Sequence, residues 1–333
     1  MSRKLAVGAI ITVLLVAAGI YFLATSQETE KVYRIGILSG LDFFSDTAEG
    51  FKEGMRELGY AEGKNVRYDE WKTNFDETAY SRILYKFVAD KVDLIFVFPT
   101  EASILAKKVT EGTGIPVVFG NANIEGVNLV QSVTEPGGNI TGVRYPGPDL
   151  SLRRFEVMHE LVPKMKRIWI PYQRGYSIME SQLKALRPAI AAAGVALTDI
   201  PASSAAELRT EFQSLVQSKK ESPDAILLIS EPLAVTPDSF EVMGEFASER
   251  NIPIGGTLMA VGGYESVFGI SINTNYVGKQ AAALADKILR GIPAGTIPVV
   301  SAESLLEVNY RAAQKAGITV PEGLLDRADR IIH

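Results

Sequence analysis

Two hydrophobic patterns divide the chain. Residues 5–24 form a largely apolar run without a charged side chain. From residue 32 onward, short runs rich in β-branched and aromatic residues alternate with segments in which apolar residues recur every three or four positions. The first pattern is typical of a hydrophobic helix, and the second predicts strands that alternate with amphipathic helices, as in an α/β fold.

The alternation predicts a defined series of elements. In the first half, strands are expected at 32–38, 66–71, 92–98 and 115–120, with helices at 46–58, 78–89 and 101–111. In the second half, strands are expected at 167–171, 195–200, 225–229 and 252–255, with helices at 150–161, 177–193, 205–219 and 239–250. A strand at 265–273, a helix at 276–290 and a last strand at 305–309 follow.

The two halves match in outline, which predicts two doubly wound parallel-sheet lobes. A turn-rich segment at 135–148 is interpreted as the passage between them. We expect lobe 1 to contain 31–143 and about 273–303, and lobe 2 to contain 144–262, whereas the sequence leaves the lobe of 304–333 open. Several crossings at one edge would form a multi-strand hinge, and a ligand would bind in the cleft beyond the carboxyl ends of the strands.

The apolar run at the N-terminus has two interpretations. Arg3 and Lys4 precede it and Glu28 follows it, which places the rest of the chain outside the cytoplasm, in the periplasm or at the outer face of the cell membrane. The run is long enough for an uncleaved anchor, although the small residues at 16–18 could instead mark signal-peptide cleavage. The sequence therefore predicts that residues 1–30 are a signal peptide or a membrane anchor helix.

Composition excludes several kinds of chemistry. The net charge of −5 argues against a nucleic-acid partner, because phosphate backbones are bound by clustered cations. The chain has no cysteine, which excludes disulfides, thiolate catalysis and cysteine metal sites. Its two histidines, His159 and His333, stand alone, so no metal and no cofactor is predicted and an enzyme is disfavoured.

Several motifs together resemble one family. They lie at 34–38, 50–60, 62–65, 115–119, 283–291 and 318–329, and above all at 136–142, which reads Pro-Gly-Gly-Asn-Ile-Thr-Gly. With them, residues 33–332 resemble the ABC-transporter substrate-binding family that includes the tryptophan/tyrosine-binding proteins and has a type I periplasmic binding protein fold. Many relatives carry a lipid on a cysteine, which this chain lacks.

The resemblance implies a receptor that captures a small ligand, such as an amino acid and in particular an aromatic one, and delivers it to an ABC permease in the membrane. It also implies a monomer apart from any membrane anchor. Two other functions stay open at this point, namely a ligand-sensing module that docks on a membrane signalling receptor and an enzyme of unknown type.

If this fold is correct, loops that follow the strands of lobe 1 should line the site. Ser39, Leu41, Phe43 and Phe44 follow the first strand, and the aromatic side chains could form a wall for a flat ligand or pack inside the lobe.

Polar residues follow two further strands of lobe 1. Thr100 and Glu101 lie at a helix start, where free backbone N–H groups suit a carboxylate, although Thr100 could simply cap the helix. Asn121 and Asn123 offer amides to a polar ligand, or form a turn.

Lobe 2 and the crossings are expected to supply the remaining contacts. Tyr172, Glu231 and Thr257 follow strands of lobe 2. Glu231 is the candidate to meet an α-ammonium group through charge-assisted hydrogen bonds, or is a solvated surface residue. Tyr145 and Tyr264 lie near the predicted crossings and could close over an aromatic ring or pack the hinge.

Overall fold

A computed structural model of the protein describes residues 31–40, 44–73, 76–217, 222–229 and 231–333. The predicted signal peptide or anchor at 1–30 and the predicted site residues Leu41 and Phe43 lie outside the described residues. Within the described ranges, none of the helices has both the length and the apolar character needed to span a membrane.

Strands and helices alternate along the chain. The strands are β1 (Tyr33–Ser39), β2 (Val66–Lys72), β3 (Leu94–Phe98), β4 (Val117–Ala122), β5 (Ile140–Arg144), β6 (Arg167–Gln173), β7 (Ala196–Ala202), β8 (Ala225–Leu227), β9 (Ile254–Gly255), β10 (Ala260–Val261), β11 (Tyr264–Glu265), β12 (Phe268–Ile272), β13 (Val300–Ser301), β14 (Ser304–Asn309) and β15 (Arg330–Ile332). The helices are α1 (Ser45–Glu57), α2 (Glu77–Ala89), α3 (Thr100–Val109), α4 (Gly147–Leu161), α5 (Met179–Ala192), α6 (Ala205–Gln217), α7 (Pro232–Val235), α8 (Pro237–Ser248), α9 (Thr274–Leu289), α10 (Tyr310–Lys315) and α11 (Glu322–Leu325).

The first sheet is parallel and has the strand order β13-β5-β4-β3-β1-β2. Helices α1 and α9 pack on one face, where Phe51 and Val277 join a core with Ile35. Helices α2 and α3 cover the other face, where Ile83 and Ala102 are buried. Because both faces are covered, every residue of β3 is buried, as its apolar sequence predicts.

The second sheet contains the parallel strands β7-β6-β8-β9. A single parallel bridge from Gly256 to Gly269 joins it to β12-β14-β15, in which β12 and β14 are antiparallel. The C-terminal elements β14, α10 and α11 contribute Val308, Ala313 and Leu324 to the same core as Ile168 of β6. An α/β fold with parallel sheets is therefore confirmed, and β14 adds an antiparallel pair to it.

The chain passes between the two sheets at three neighbouring places: from β5 to α4, from β12 to α9 and from β13 to β14. Hydrogen bonds hold two of these passages together, since Arg144 Nε donates to Ser301 Oγ at 2.7 Å and Ala302 N donates to Arg144 O at 3.0 Å. Asn273 begins α9 by accepting a hydrogen bond from Tyr276 N at 3.0 Å. The first and third passages are thus tied to each other by side chains as well as by the backbone.

The segment at 135–148 differs from its interpretation as a simple passage. Residues Ile140–Arg144 form the buried strand β5 inside the first sheet, and the chain leaves that sheet only after Arg144. Gly142 allows the strand to pack closely, because a Cβ there would lie less than 3.0 Å from Phe119. The turn residues of this motif therefore lead into a strand, which its proline, glycine and asparagine residues had concealed.

Candidate functional site

The carboxyl ends of β1, β3 and β4 lie side by side, because β3 pairs with both other strands. They bring Ser39, Thr100, Glu101, Asn121 and Asn123 to one edge of the first sheet. All of these except Glu101 are buried, and Glu101 is half-buried. The sequence-predicted residues of this group therefore share one location.

Two hydrogen bonds fix the loop after β4. Thr100 Oγ1 accepts from Asn123 N at 3.0 Å, which ties this loop to the first turn of α3. Asn121 has a positive φ of 50°, a conformation that asparagine tolerates, and its Nδ2 donates to Thr47 Oγ1 of α1 at 2.7 Å. The amide oxygens Asn121 Oδ1 and Asn123 Oδ1 are buried and have no hydrogen-bond partner among the described residues. Thr100 thus positions a site loop rather than capping its helix.

Glu101 faces a tyrosine from the second sheet. Its Oε2 is buried and accepts no hydrogen bond within the described ranges. The hydroxyl of Tyr176, in the loop between β6 and α5, lies beside the Glu101 carboxylate. Burial raises the pKa of Glu101, against the opposite effects of its own backbone amide and of Tyr176. Burial also raises the pKa of Tyr176, and the charges of Glu101 and Glu231 add to this effect, so both carboxylates lie near its hydroxyl.

Glu231 is only 4% exposed and precedes the short helix α7. Its Oε1 accepts from Ala234 N at 2.5 Å, and its Oε2 accepts from Leu233 N at 3.0 Å and from Gln173 N at 2.8 Å. Burial raises the pKa of Glu231 to about 7, although the three amide hydrogen bonds favour the charged form. Its carboxylate therefore joins the start of α7 to the end of β6, a structural role that the sequence did not indicate.

A second group of polar atoms lies where the first sheet meets α4 and α5. A Cβ on Gly147 would be 2.5 Å from Asn123 Oδ1 and 3.6 Å from Gln182 Cδ, so these side chains are neighbours. Gln182 is fully buried, its Oε1 accepts from Ser151 Oγ at 2.6 Å, and its Nε2 has no partner in the described structure. The bond from Ser151 therefore fixes which way the Gln182 amide donor points.

Tyr145 is held by a buried arginine at the passage from β5 to α4. Arg154 is fully buried, and its Nη2 donates to the Tyr145 hydroxyl at 3.0 Å. Its Nε donates to Gly256 O at 2.8 Å and to Ile270 O at 3.2 Å. Thr257 follows directly, and its Oγ1 is buried without a hydrogen-bond partner among described residues. Arg154 thus joins the passage from β5 to α4 to the end of β9 and to β12, the strands on either side of the bridge between Gly256 and Gly269.

The structure does not bring every sequence-predicted residue to this edge. The Tyr172 hydroxyl has Asp199 and Arg187 as charged neighbours, on β7 and α5. Tyr264 packs against α8, since a Cβ on Gly244 would lie less than 3.0 Å from its ring. Phe44 is partly buried against the core of the first sheet. These three side chains pack within one sheet or its helices.

Tyr176, Gln182 and Ser151 were missed by sequence reasoning. Tyr176 follows β6 and could have been found by extending the loop after that strand by two residues. Ser151 and Gln182 are polar residues on the buried faces of helices. An analysis of hydrophobic periodicity does not detect them, because it searches for apolar residues at those positions.

Comparison with known proteins shows the family. The family model described as ABC transporter substrate binding protein matches residues 35–332. A curated relative, the tyrosine-binding protein of Clostridioides difficile, is 27% identical over 277 residues, which cover 82% of this chain and 77% of the relative.

Solved structures share the fold. A conserved domain protein from Vibrio cholerae has a TM-score of 0.76 at 25% identity, over 90% of this chain and 100% of that chain. The ABC domain from Streptococcus pneumoniae in complex with L-Trp has a TM-score of 0.76 at 23% identity, over 91% of this chain and 100% of that chain. Substrate-binding proteins of ABC transporters bind solutes outside the cytoplasm and are not enzymes. The chain described here therefore belongs to the ABC transporter substrate-binding protein family.

Proposed function

We propose that this protein is the extracytoplasmic receptor of an ABC importer, that it captures an amino acid between two lobes, and that it delivers this ligand to a membrane permease. The observation that carries the proposal is a group of buried polar atoms at the edge between the sheets that have no hydrogen-bond partner among the described residues, namely Glu101 Oε2, Asn121 Oδ1, Asn123 Oδ1, Gln182 Nε2 and Thr257 Oγ1. Burying such atoms without hydrogen bonds is costly, so a polar ligand that pairs with them would be stabilised.

The two lobes would correspond to the two sheets. We assign 31–144 and 273–303 to lobe 1, and 145–272 and 304–333 to lobe 2, with the three passages as the hinge. The C-terminal segment goes to lobe 2 because its buried residues pack with β6. Contacts such as that of Glu101 with Tyr176 join residues of different lobes, so a ligand that binds both sides would favour a closed arrangement.

An aromatic amino acid is the preferred ligand. Tyr176 is a neighbour of the two carboxylates and of Tyr145, so these two tyrosines offer ring surfaces near the polar atoms. Rings of this kind favour flat ligands through edge and offset stacking. The tyrosine-binding protein and the L-Trp complex, at 27% and 23% identity, support the same class here, whereas the neighbours that bind sugars or inositol are 13–15% identical.

Thermal unfolding of the full chain with each of the twenty amino acids tests this proposal, with a panel of monosaccharides as the control. We expect tyrosine, tryptophan or phenylalanine to raise the melting temperature most, since saturation at about 100 times Kd adds about 2.7 kcal/mol of stability. Small-angle scattering should show a smaller radius of gyration with the same ligand. If no amino acid stabilises the protein, or if monosaccharides do so instead, the proposed ligand class is wrong.

A further inference from the structure

We propose that the ligand's ammonium group binds Glu101 Oε2 and Asn123 Oδ1 at the edge of the first sheet, an assignment that rests on the function proposed above. Both oxygens are buried, and neither has a hydrogen-bond partner among the described residues. Asn121 Oδ1, near the carboxyl end of β4, adds a third such acceptor. An ammonium group carries three N–H donors and no acceptor, so it matches the three acceptor oxygens Glu101 Oε2, Asn121 Oδ1 and Asn123 Oδ1.

The charges favour a cation at this place. In the described part of the chain, neither Glu101 nor Glu231 forms an ion pair with a lysine or arginine. A buried carboxylate needs hydrogen bonds or a counter-charge, because it has lost its hydration. The Tyr176 hydroxyl lies beside the Glu101 carboxylate, and Oε2 has no hydrogen-bond partner among the described residues. A ligand cation would provide both the counter-charge and the remaining hydrogen bond.

Glu231 is less suited to this role. Three backbone amides already bond to its two oxygens, from Gln173, Leu233 and Ala234. Moving the carboxylate toward a ligand would break bonds that hold the start of α7. The ammonium is therefore assigned to Glu101 in lobe 1 and not to Glu231 in lobe 2.

The unpaired acceptor oxygens of the protein also favour an ammonium over other ligand groups. A ligand carboxylate would be repelled by Glu101, and the unpaired oxygens Asn121 Oδ1 and Asn123 Oδ1 could not donate a hydrogen bond to it. A divalent cation would need several carboxylate or imidazole ligands, and the described ranges contain no cluster of three or more His, Cys, Asp or Glu that could hold a metal. One carboxylate with amide oxygens fits a primary ammonium best.

Calorimetric titration tests the assignment with two ligand pairs. L-Tryptophan is compared with indole-3-propionate, and L-tyrosine with 3-(4-hydroxyphenyl)propionate, because each second compound lacks only the ammonium group. In the full-length chain, Glu101→Gln keeps the size of the side chain and removes its charge. The matched control is Glu111→Gln, at an exposed position just beyond the C-terminal end of α3.

We expect Glu101→Gln to weaken binding of the amino acids about 10- to 100-fold, in line with a hydrogen bond to a charged group, and Glu111→Gln to leave it unchanged. The compounds without the ammonium should bind the unmodified protein more weakly and should lose nothing further in Glu101→Gln. If Glu101→Gln does not fold, Glu101→Asp retracts the carboxylate by one methylene and should show the same selective loss.

Amino-acid binding that is equally tight in the unmodified protein and in the Glu101 variants would overturn this assignment while the proposed function stands. An equal loss for the amino acids and for the compounds without the ammonium would also overturn it, since Glu101 would then act on another part of the ligand. Failure of every amino acid to bind the unmodified protein would overturn the proposed function itself, and the ammonium assignment with it.

Discussion

Replacing Gly278 with alanine should destabilise the protein, because α9 and α1 approach each other through glycines. A Cβ on Gly278 would lie less than 3.0 Å from backbone atoms of Thr47, Gly50 and Phe51, closer than Cβ atoms in proteins are found. Backbone atoms inside a helix cannot rotate away as a side chain can. The two helices must therefore separate.

The size of the effect follows from two opposing contributions. Overpacking with a backbone shift costs about 1–3 kcal/mol, and three clashes with backbone atoms of α1 place Gly278→Ala at the upper end of that range. Alanine is a better helix former than glycine by about 1 kcal/mol, which offsets part of this cost. We expect a net loss of about 2 kcal/mol in the free energy of unfolding.

Urea unfolding of the full chain, followed by far-ultraviolet circular dichroism, measures this difference. Gly323→Ala is the matched control, since Gly323 is also helical and a Cβ there has no atom within 4 Å. It should leave stability unchanged or raise it by up to about 1 kcal/mol. Equal unfolding midpoints for Gly278→Ala and the unmodified protein would show that these glycines do not set the spacing of the two helices.

Two further predictions concern the site. The pKa of Glu231 rises from 4.5 in an ordinary glutamate to about 7. Because only the unfolded state releases this proton early in that range, the free energy of unfolding relative to Glu231→Gln should fall by roughly 3 kcal/mol as the pH rises from 4.5 through 7. Urea titrations across this range would contradict the prediction if the difference between the two proteins stayed constant. Gly147→Ala would place a Cβ 2.5 Å from Asn123 Oδ1. L-Tryptophan binding, measured by calorimetry, should therefore weaken about 10-fold with little change in melting temperature. Unchanged affinity would refute this geometry.

Local periodicity was sufficient to predict most of the elements. The strand predicted at 92–98 is β3 (Leu94–Phe98), and the helix predicted at 276–290 is α9 (Thr274–Leu289). Both have a strong pattern, either a continuous apolar run or apolar residues at helical spacing. The strands β10, β13 and β15 were missed because they have only two or three residues, and β5 was missed because it follows a run of turn-forming residues.

The site was predictable only in part. The carboxyl-end rule for parallel strands led to Thr100, Asn121 and Asn123, which the structure places at one edge. The same rule selected Tyr172, whose side chain has its charged neighbours on β7 and α5. Strand position fixes where the backbone lies, whereas the direction of each side chain depends on the register and on the helices that pack above it.

The sequence by itself determined the alternation of strands and helices and the family, because hydrophobic spacing and motifs are properties of nearby residues. Only the tertiary structure decided how the polar side chains are used. Glu231 accepts hydrogen bonds from three amides, one of them that of Gln173, 58 positions away, while Glu101 Oε2 and Asn123 Oδ1 have no partner among the described residues. Whether a buried polar atom is already paired depends on contacts between distant segments, and those contacts are set when the sheets and helices pack.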